Sequence, residues 1–452
     1  MKNTILAILL TASLVKGQIS TQNNTEGSIT ITPKGLQGST NSPLLHTTNV
    51  ALGNLALSSP MLAGSLNTAI GNSALMKNTT GTCNTANGYF SLKDNTSGYM
   101  NTGIGATALS QNTTGNFNTA IGYGALTYNS EGVANTGTGS YALYFNTTGE
   151  GNTAYGDHAL FNNKTGHYNS AYGIDALKSN TTGKNNIAVG VATLGNNKTG
   201  SYNTATGTDA LITNDIGWGN TAYGAYSLRS NSIGNRNTAI GDSALFKNER
   251  GSFNTTIGYM SGYANIHGTN NTLIGYQADV TGNTLKNATA IGANARVNAN
   301  NKVRIGNDSV TVIEGAVPWS NPSDRRLKEN IIYTNRLGLT FINHLKTVSY
   351  NYIADKTKRR YDGFIAQDIE KVMSDLGVPF SGLKKADDGT YSLAYSDFVI
   401  PLVNAVKEQQ EQINELKKQN ENLAQTLADL KDIRADIAKL KEQTILKDTD
   451  KK

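Results

Sequence analysis

The sequence predicts a mainly β protein, a parallel β-solenoid or β-roll of 17-residue coils, closed at its C-terminal end by a long heptad helix. Three observations predict it. Glycine recurs every 17 residues from Gly71 to Gly292 without a slip, the composition changes after Gly306, and residues 399–446 carry apolar side chains at alternating three- and four-residue spacing. Composition agrees: of 452 residues 47 are Gly, only 38% are hydrophobic and only 16% are charged. So few large apolar groups cannot fill a thick core, and the chain must bury small side chains and backbone in something thin and repetitive. The net charge of +6 is dispersed rather than gathered into a basic stripe, so nucleic acid is not an expected partner.

At the N-terminus, Met1-Lys2 is a short positive start and Ile5 to Val15 an apolar run too short to span a bilayer. Gly17 and a polar stretch follow, which is the pattern of a secretory signal over residues 1–17. It predicts an exported protein, secreted or held on the outer cell surface. Residues 18–47 form a polar N-terminal segment. The lone Cys83 has no intrachain disulfide partner and reads as a small apolar residue.

Residues 48–306 are the repeat region. Besides the Gly71 column, a second glycine column runs from Gly81 to Gly268 and an Asn column from Asn67 to Asn271, all at the same period. The unit is N-T-A-x-G-x-x-A-L-x-x-N-x-x-G-x-x. Seventeen residues are too few for a pair of helices and suit one solenoid coil. Glycines supply positive φ or close approach at the corners, and stacked Asn side chains pair with neighbouring coils and their backbone. At roughly 4.8 Å per coil, about fourteen coils make a rod on the order of 65 Å. Each coil buries little alone, so side-by-side packing of several chains is the expected remedy.

Chemistry within the repeats is sparse. Asn78, Asn112 and Asn146 sit in N-T-T triplets that match glycosylation acceptors, but they recur at one repeat position and read as turn residues. Asp175 and Asp209 share a column two coils apart, roughly 9.6 Å, near the upper limit for an inverting glycosidase pair. No aromatic platform is expected beside them, so a depolymerase is not the favoured reading. His158 and His167 lie on different parts of a coil and make no metal site, and no cofactor motif is present. Phe117, Tyr168, Tyr202 and Phe253 line one variable column without defining a ligand.

The N-T-A-I-G core resembles the head repeats of trimeric autotransporter adhesins, and the step of 14 residues from Gly292 to Gly306 approaches that family's repeat length. The resemblance implies parallel β-rolls packed about a threefold axis, hence a homotrimer whose ligand would be a host surface or a glycan.

Residues 307–322 are a linker ending in a Pro-containing boundary, V-P-W-S-N-P. Next come Ser323-Asp324-Arg325-Arg326-Leu327-Lys328-Glu329-Asn330-Ile331, then Gly363-Phe364-Ile365-Ala366-Gln367-Asp368, Tyr395, Ile400-Pro401-Leu402 and Ala405-Val406-Lys407-Glu408. This ordered set resembles the intramolecular chaperone auto-processing domain found at the C-termini of phage tailspikes, endosialidases and some bacterial surface proteins. The resemblance implies an α+β chaperone domain over 323–398 that directs trimer assembly and then releases itself by serine chemistry. It assigns Ser323 as nucleophile, Lys328 as general base, Pro322–Ser323 as the scissile bond, and Gly363, Phe364, Ala366 and Gln367 as chaperone-motif residues. The pairing is chemically sensible, because a serine hydroxyl needs a base, and lysine serves as one when desolvation lowers its pKa. Read alone, Ser323 equally suits a helix N-cap and Lys328 a solvated surface charge.

In residues 399–446, Val399, Leu402, Val406, Ile413, Leu416, Leu423, Leu427 and Leu430 form a seam with Asn420 at a core position. It continues through Ile433, Ile437, Leu440 and Thr444, where the spacing drops three residues, a stammer. An oligomeric coiled coil is predicted, with a charged tail at 447–452. The whole reads as an exported trimeric, adhesin-like fibre whose enzymatic act is one self-directed cleavage. The alternative is a phage-type tail fibre or tailspike with a glycan-binding or glycan-hydrolysing shaft.

Overall fold

The computed structural model describes residues 29–32 and 35–38 (backbone only), 49–317, 319–353, 355, 357–386 and 388–449, with side chains to 444. The expected signal segment at 1–17 lies outside the described residues. The chain divides into two units, one through Asp308 and one from Ser309.

In the first unit each coil contributes one three-residue strand, such as Thr119–Ile121, paired in parallel and in register with Thr136–Thr138 of the next coil. Sixteen such rungs, from Val50–Leu52 to Val303–Ile305, follow one another in a single sheet. The central residue of most rungs is an Ala that points inward and packs with the Ala-Leu pair of the return run, as Ala120 does with Ala125 and Leu126, all fully buried. Each buried Leu contributes about 1.5–3 kcal/mol, but the interior is only a few side chains across. A thin core leaves much of the specificity to hydrogen bonds.

Two Asn columns supply them. Asn118 accepts from the backbone N–H of Asn135 (3.0 Å) and from its amide (3.2 Å), and donates to Asn101 Oδ1 (3.1 Å) and the Gly132 carbonyl (2.8 Å). In the second column Asn129 donates to Asn112 Oδ1 (2.8 Å) and to the Gly132 carbonyl (3.0 Å). The triplet residues Asn78, Asn112 and Asn146 belong to this second ladder and are fully buried. In the folded solenoid their amides are committed to the ladder.

The two glycine columns exist for different reasons. Gly122 has φ +134°, and a Cβ there would lie 2.5 Å from the Gly139 carbonyl oxygen. Gly132 has no such φ, but its Cβ would lie 2.2 Å from Asn129 Oδ1. Left-handed backbone also occurs at non-glycine positions that the repeat did not announce, including fully buried Leu126 (φ +52°) and half-buried Tyr141 (φ +55°). Each costs on the order of 1 kcal/mol. The conformation turns the N–H along the solenoid axis, where Leu126 donates to Ala142 (2.9 Å) and Tyr141 to Tyr123 (2.9 Å).

The second unit begins with a segment without regular strands, 309–317 and 319–335, containing one 3-10 turn at Arg325–Leu327. Helix α1 (Leu339–His344), a hairpin (Val348–Tyr350 with Tyr361–Gly363), helix α2 (Ala366–Leu376), a second hairpin (Leu383–Lys385 with Tyr391–Leu393) and helix α3 (Val399–Thr449) follow. Phe341, Ile369, Phe380 and Phe398 form its core. Helix α3 is 51 residues long, roughly 76 Å at 1.5 Å per residue. Its seam residues are about half exposed, with Ile413 at 45%, Leu427 at 51% and Leu440 at 61%.

Candidate processing site and its chaperone domain

Ser323 immediately follows Pro322 in the segment that precedes helix α1. The next residues tighten into the 3-10 turn, which brings Lys328 back toward Ser323. Lys328 Nζ lies 2.7 Å from Ser323 Oγ. That is within reach for direct proton transfer between a nucleophile and its base.

The structure corrects the helix-cap alternative for Ser323. The cap of the turn is Asp324, whose carboxylate accepts from the Arg326 N–H (2.8 Å) and pairs with its guanidinium (2.7 Å). These contacts with Arg326 hold the Asp324 carboxyl below the usual carboxylate range. Asp324 is thereby committed to shaping the turn and leaves the Ser323 hydroxyl to Lys328. Asn330 closes the stretch at φ +51°.

Both Ser323 and Lys328 are exposed in the single chain. So are large apolar neighbours: Trp319 (86%), Leu327 (71%), Ile332 (80%) and Tyr333 (88%). These apolar side chains flank the serine–lysine pair in sequence and lie open to solvent in the single chain.

The chaperone-motif residues lie in the packed part of the unit. Gly363 ends a hairpin strand where a Cβ would come within 2.2 Å of Tyr395 Oη. That hydroxyl accepts the Phe364 N–H (3.1 Å), and the Phe364 ring stacks on Phe398 (5.0 Å). Ala366 and exposed Gln367 open helix α2. Glu408 of α3 accepts from the Leu339 N–H at the start of α1 (2.7 Å), and Asn404 donates to the Leu337 carbonyl (3.3 Å). The role of Glu408 was not legible locally, because its partner lies 69 residues away.

Away from Asp175 and Asp209, beside which no aromatic platform was expected, the solenoid does carry an aromatic cluster. Tyr128, Tyr141, Tyr144, Phe145 and Phe161 form one ring cluster, with Tyr144 and Phe161 stacked at 5.3 Å. His158 joins it at 5.0 Å from Phe161 and contacts Asp157 at 2.8 Å. The signal was available as a run of aromatics at variable positions between 123 and 161. Asp175 and Asp209 themselves are engaged by Lys178 (3.0 Å) and Arg229 (3.9 Å). Among the described residues no cluster of three His, Cys, Asp or Glu is placed to hold a metal, and no helix is long and apolar enough to cross a membrane.

Compared with known families, residues 323–378 match the family model described as chaperone of endosialidase. The match starts on Ser323 and runs through the first hairpin and α2. No curated protein and no solved structure matches the chain. The chain thus joins a β-solenoid to an endosialidase-type chaperone domain, the organisation of a tailspike-like or fibre-like protein.

Proposed function

We propose that this chain is the subunit of an exported homotrimeric, adhesin-like fibre, secreted or held on the outer cell surface. Its C-terminal domain drives trimer assembly and then cuts itself off between Pro322 and Ser323. One observation carries the cleavage reading: Ser323 Oγ and Lys328 Nζ stand 2.7 Å apart at the first residue of the matched domain. In the single chain the lysine is solvated, and a solvated ammonium is a poor base. Packing of the neighbouring apolar side chains against other chains removes that water, favours the neutral amine, and couples cleavage to assembly. Lys328 then takes the Ser323 Oγ proton, Oγ attacks the Pro322 carbonyl carbon, and the C–N bond breaks as Lys328 returns that proton to the Ser323 nitrogen, leaving an ester. Water hydrolyses the ester to the Pro322 carboxylate and the free Ser323 hydroxyl, or water itself attacks the carbonyl with Lys328 as base and the Ser323 nitrogen leaves protonated.

The test is expression of wild type beside Ser323→Ala and Lys328→Ala, with gels run before and after boiling. The wild type is expected to release Ser323–Lys452 while both variants assemble uncut. A trimeric wild type that stays full-length refutes cleavage and spares the chaperone role. Monomers throughout refute assembly as well. Fractionation of the producing cell tests export.

A second reading, a tailspike or tail fibre of phage type with a glycan-binding shaft, is favoured by the Tyr141–Tyr144–Phe161 ring cluster beside Asp157. The salt-bridged state of Asp175 and Asp209 supports binding over hydrolysis. Glycan-array binding without product release separates the two shaft activities.

A further inference from the structure

The sixteen-rung sheet has an outward face made by the first and third residues of each rung. Its third column holds Ile, Leu, Val or Tyr at all rungs but three, the exceptions being Asn87, Thr138 and Thr206. The first column is Thr at twelve of the sixteen rungs, the others being Val50, Ser170, Ile187 and Val303. None of these outward positions carries a charge, whereas the return runs of the same coils carry Lys77, Lys93, Asp94, Asp157, Asp175 and Lys178. The third-column side chains remain substantially exposed: Ile70 37%, Ile121 39%, Tyr155 45%, Ile240 39%, Ile291 39%. A sheet face facing only water normally carries polar and charged side chains, and a long uncharged one invites association.

We infer that this face is the surface on which solenoids of separate copies of this chain pack, in parallel and in register. The inference rests on the assembly reading above and says where on the shaft assembly occurs. Area supports a second copy as the occupant. At roughly 4.8 Å per rung the ladder is about 70 Å long, and a three-residue rung is about 10 Å wide. That gives about 700 Å² per chain, close to the ~800 Å² per partner of a standard stable interface. Periodicity supports the same occupant. Only a surface with the identical rung spacing matches Ile and Thr columns along the whole length.

The uniform Ile rungs fit equally well after a slip of one rung, so they do not choose a register. The exceptional rungs do. Asn87, Thr138 and Thr206 interrupt the apolar column, and Tyr155, stacked on Tyr172 at 5.5 Å, and Tyr223 enlarge it. Slipping one chain sets Tyr against Ile and a polar side chain against an apolar one. Register between chains is therefore written in these few rungs.

The test uses the full chain in a Cys83→Ser background. Ile121→Cys and Ile240→Cys probe the face, Asn162→Cys on the return run is the control, and Ile121→Lys/Ile240→Lys adds charge. Oligomer mass, inter-chain crosslinking by a short bis-maleimide, and labelling by a bulky maleimide are measured. The expected result is inter-chain crosslinks at 121 and 240 with labelling slowed at least tenfold relative to 162, and loss of shaft association in the double-Lys variant with coil circular dichroism kept. An oligomeric protein in which 121 and 240 label as fast as 162 without crosslinking overturns this inference while leaving assembly standing. So does an oligomer whose double-Lys shaft stays associated. A monomeric wild type overturns both.

Discussion

Consider the mid-ladder substitutions Asn118→Ala and Asn118→Asp. Alanine removes four side-chain hydrogen bonds, but most of the partners keep another. The Gly132 carbonyl still accepts from Asn129 (3.0 Å), the Asn135 amide still donates to Gly149 (2.8 Å), and Asn101 Oδ1 still accepts from the backbone of residue 118 (3.0 Å). The group left bare is the Asn135 N–H, whose acceptor was Asn118 Oδ1. An orphaned buried donor costs about 1–3 kcal/mol, and with the lost bonds the total is about 2–4 kcal/mol. Aspartate keeps that acceptor. It places a second oxygen where the Nδ2 donor stood, 2.8 Å from the Gly132 carbonyl and 3.1 Å from Asn101 Oδ1, at a position with no solvent exposure. Three facing acceptors and a buried charge cost about 4 kcal/mol or more. Aspartate should therefore be worse than alanine at neutral pH. It should recover as pH falls, since the protonated acid donates to Gly132 again. Urea unfolding followed by far-UV circular dichroism, with hydrogen exchange at the Asn135 amide, reads both effects. Aspartate equal to or milder than alanine at pH 7, or both within about 0.5 kcal/mol of wild type, refutes the ladder as a principal source of stacking energy.

Two further perturbations follow from the structure. Burial pushes the Asp279 carboxyl up to about 6, against the opposing pull of the Val280 and Ala264 N–H groups and of Arg296. A raised acid pKa means stability fully present below the unfolded value of 3.8 and lost as pH rises through about 6. The loss is roughly 3 kcal/mol, so the solenoid's melting midpoint should rise between pH 7 and pH 5, and Asp279→Asn should remove that part of the slope. In the C-terminal unit, Gly363→Ala forces a Cβ into Tyr395 Oη and breaks its bond to Phe364 N–H. The expected cost is about 2–3 kcal/mol. Adding Tyr395→Phe should restore part of it, because the nearest remaining Tyr395 atom is 3.3 Å from the new methyl. Additive losses in limited proteolysis of the domain would show that the two residues do not meet.

The solenoid was legible because its constraints repeat. A Cβ at Gly122 or Gly132 has nowhere to go, so glycine returns at every coil and the period declares itself. The Asn ladders were legible for the same reason. Hidden from the sequence were positions where ordinary residues adopt left-handed backbone, such as Leu126, since nothing about leucine marks φ +52°. Also hidden were contacts between distant segments, such as Glu408 on Leu339 or Tyr395 behind Gly363. The proximity of Ser323 and Lys328 was expected from a resemblance, and the turn that creates it depends on Asp324, which the sequence left without a role.

The two units address complementary problems. Within one chain the Asn ladders and glycine corners make each coil fit its neighbour, and a solenoid built this way specifies stacking strongly. Between chains the same uniformity is a weakness, because a regular face tolerates a slip of one rung and only a few exceptional rungs resist it. In the proposed assembly, helix α3 supplies what the shaft lacks. Its start, as far as Glu408, is tied to its own domain, and among the described residues the seam from Ile413 onward stays about half exposed. In the proposed assembly, a seam with Asn420 at a core position and a shortened spacing after Leu430 aligns chains in one register, since a one-heptad offset buries Asn420 against Ile413 or Leu427. In that scheme, registration set by the helices is then extended rung by rung along the shaft. In the proposed scheme, cleavage at Pro322–Ser323 makes that choice permanent, for a shaft that has lost its aligning helices cannot repeat the search. Its persistence becomes a matter of unfolding rate rather than of equilibrium.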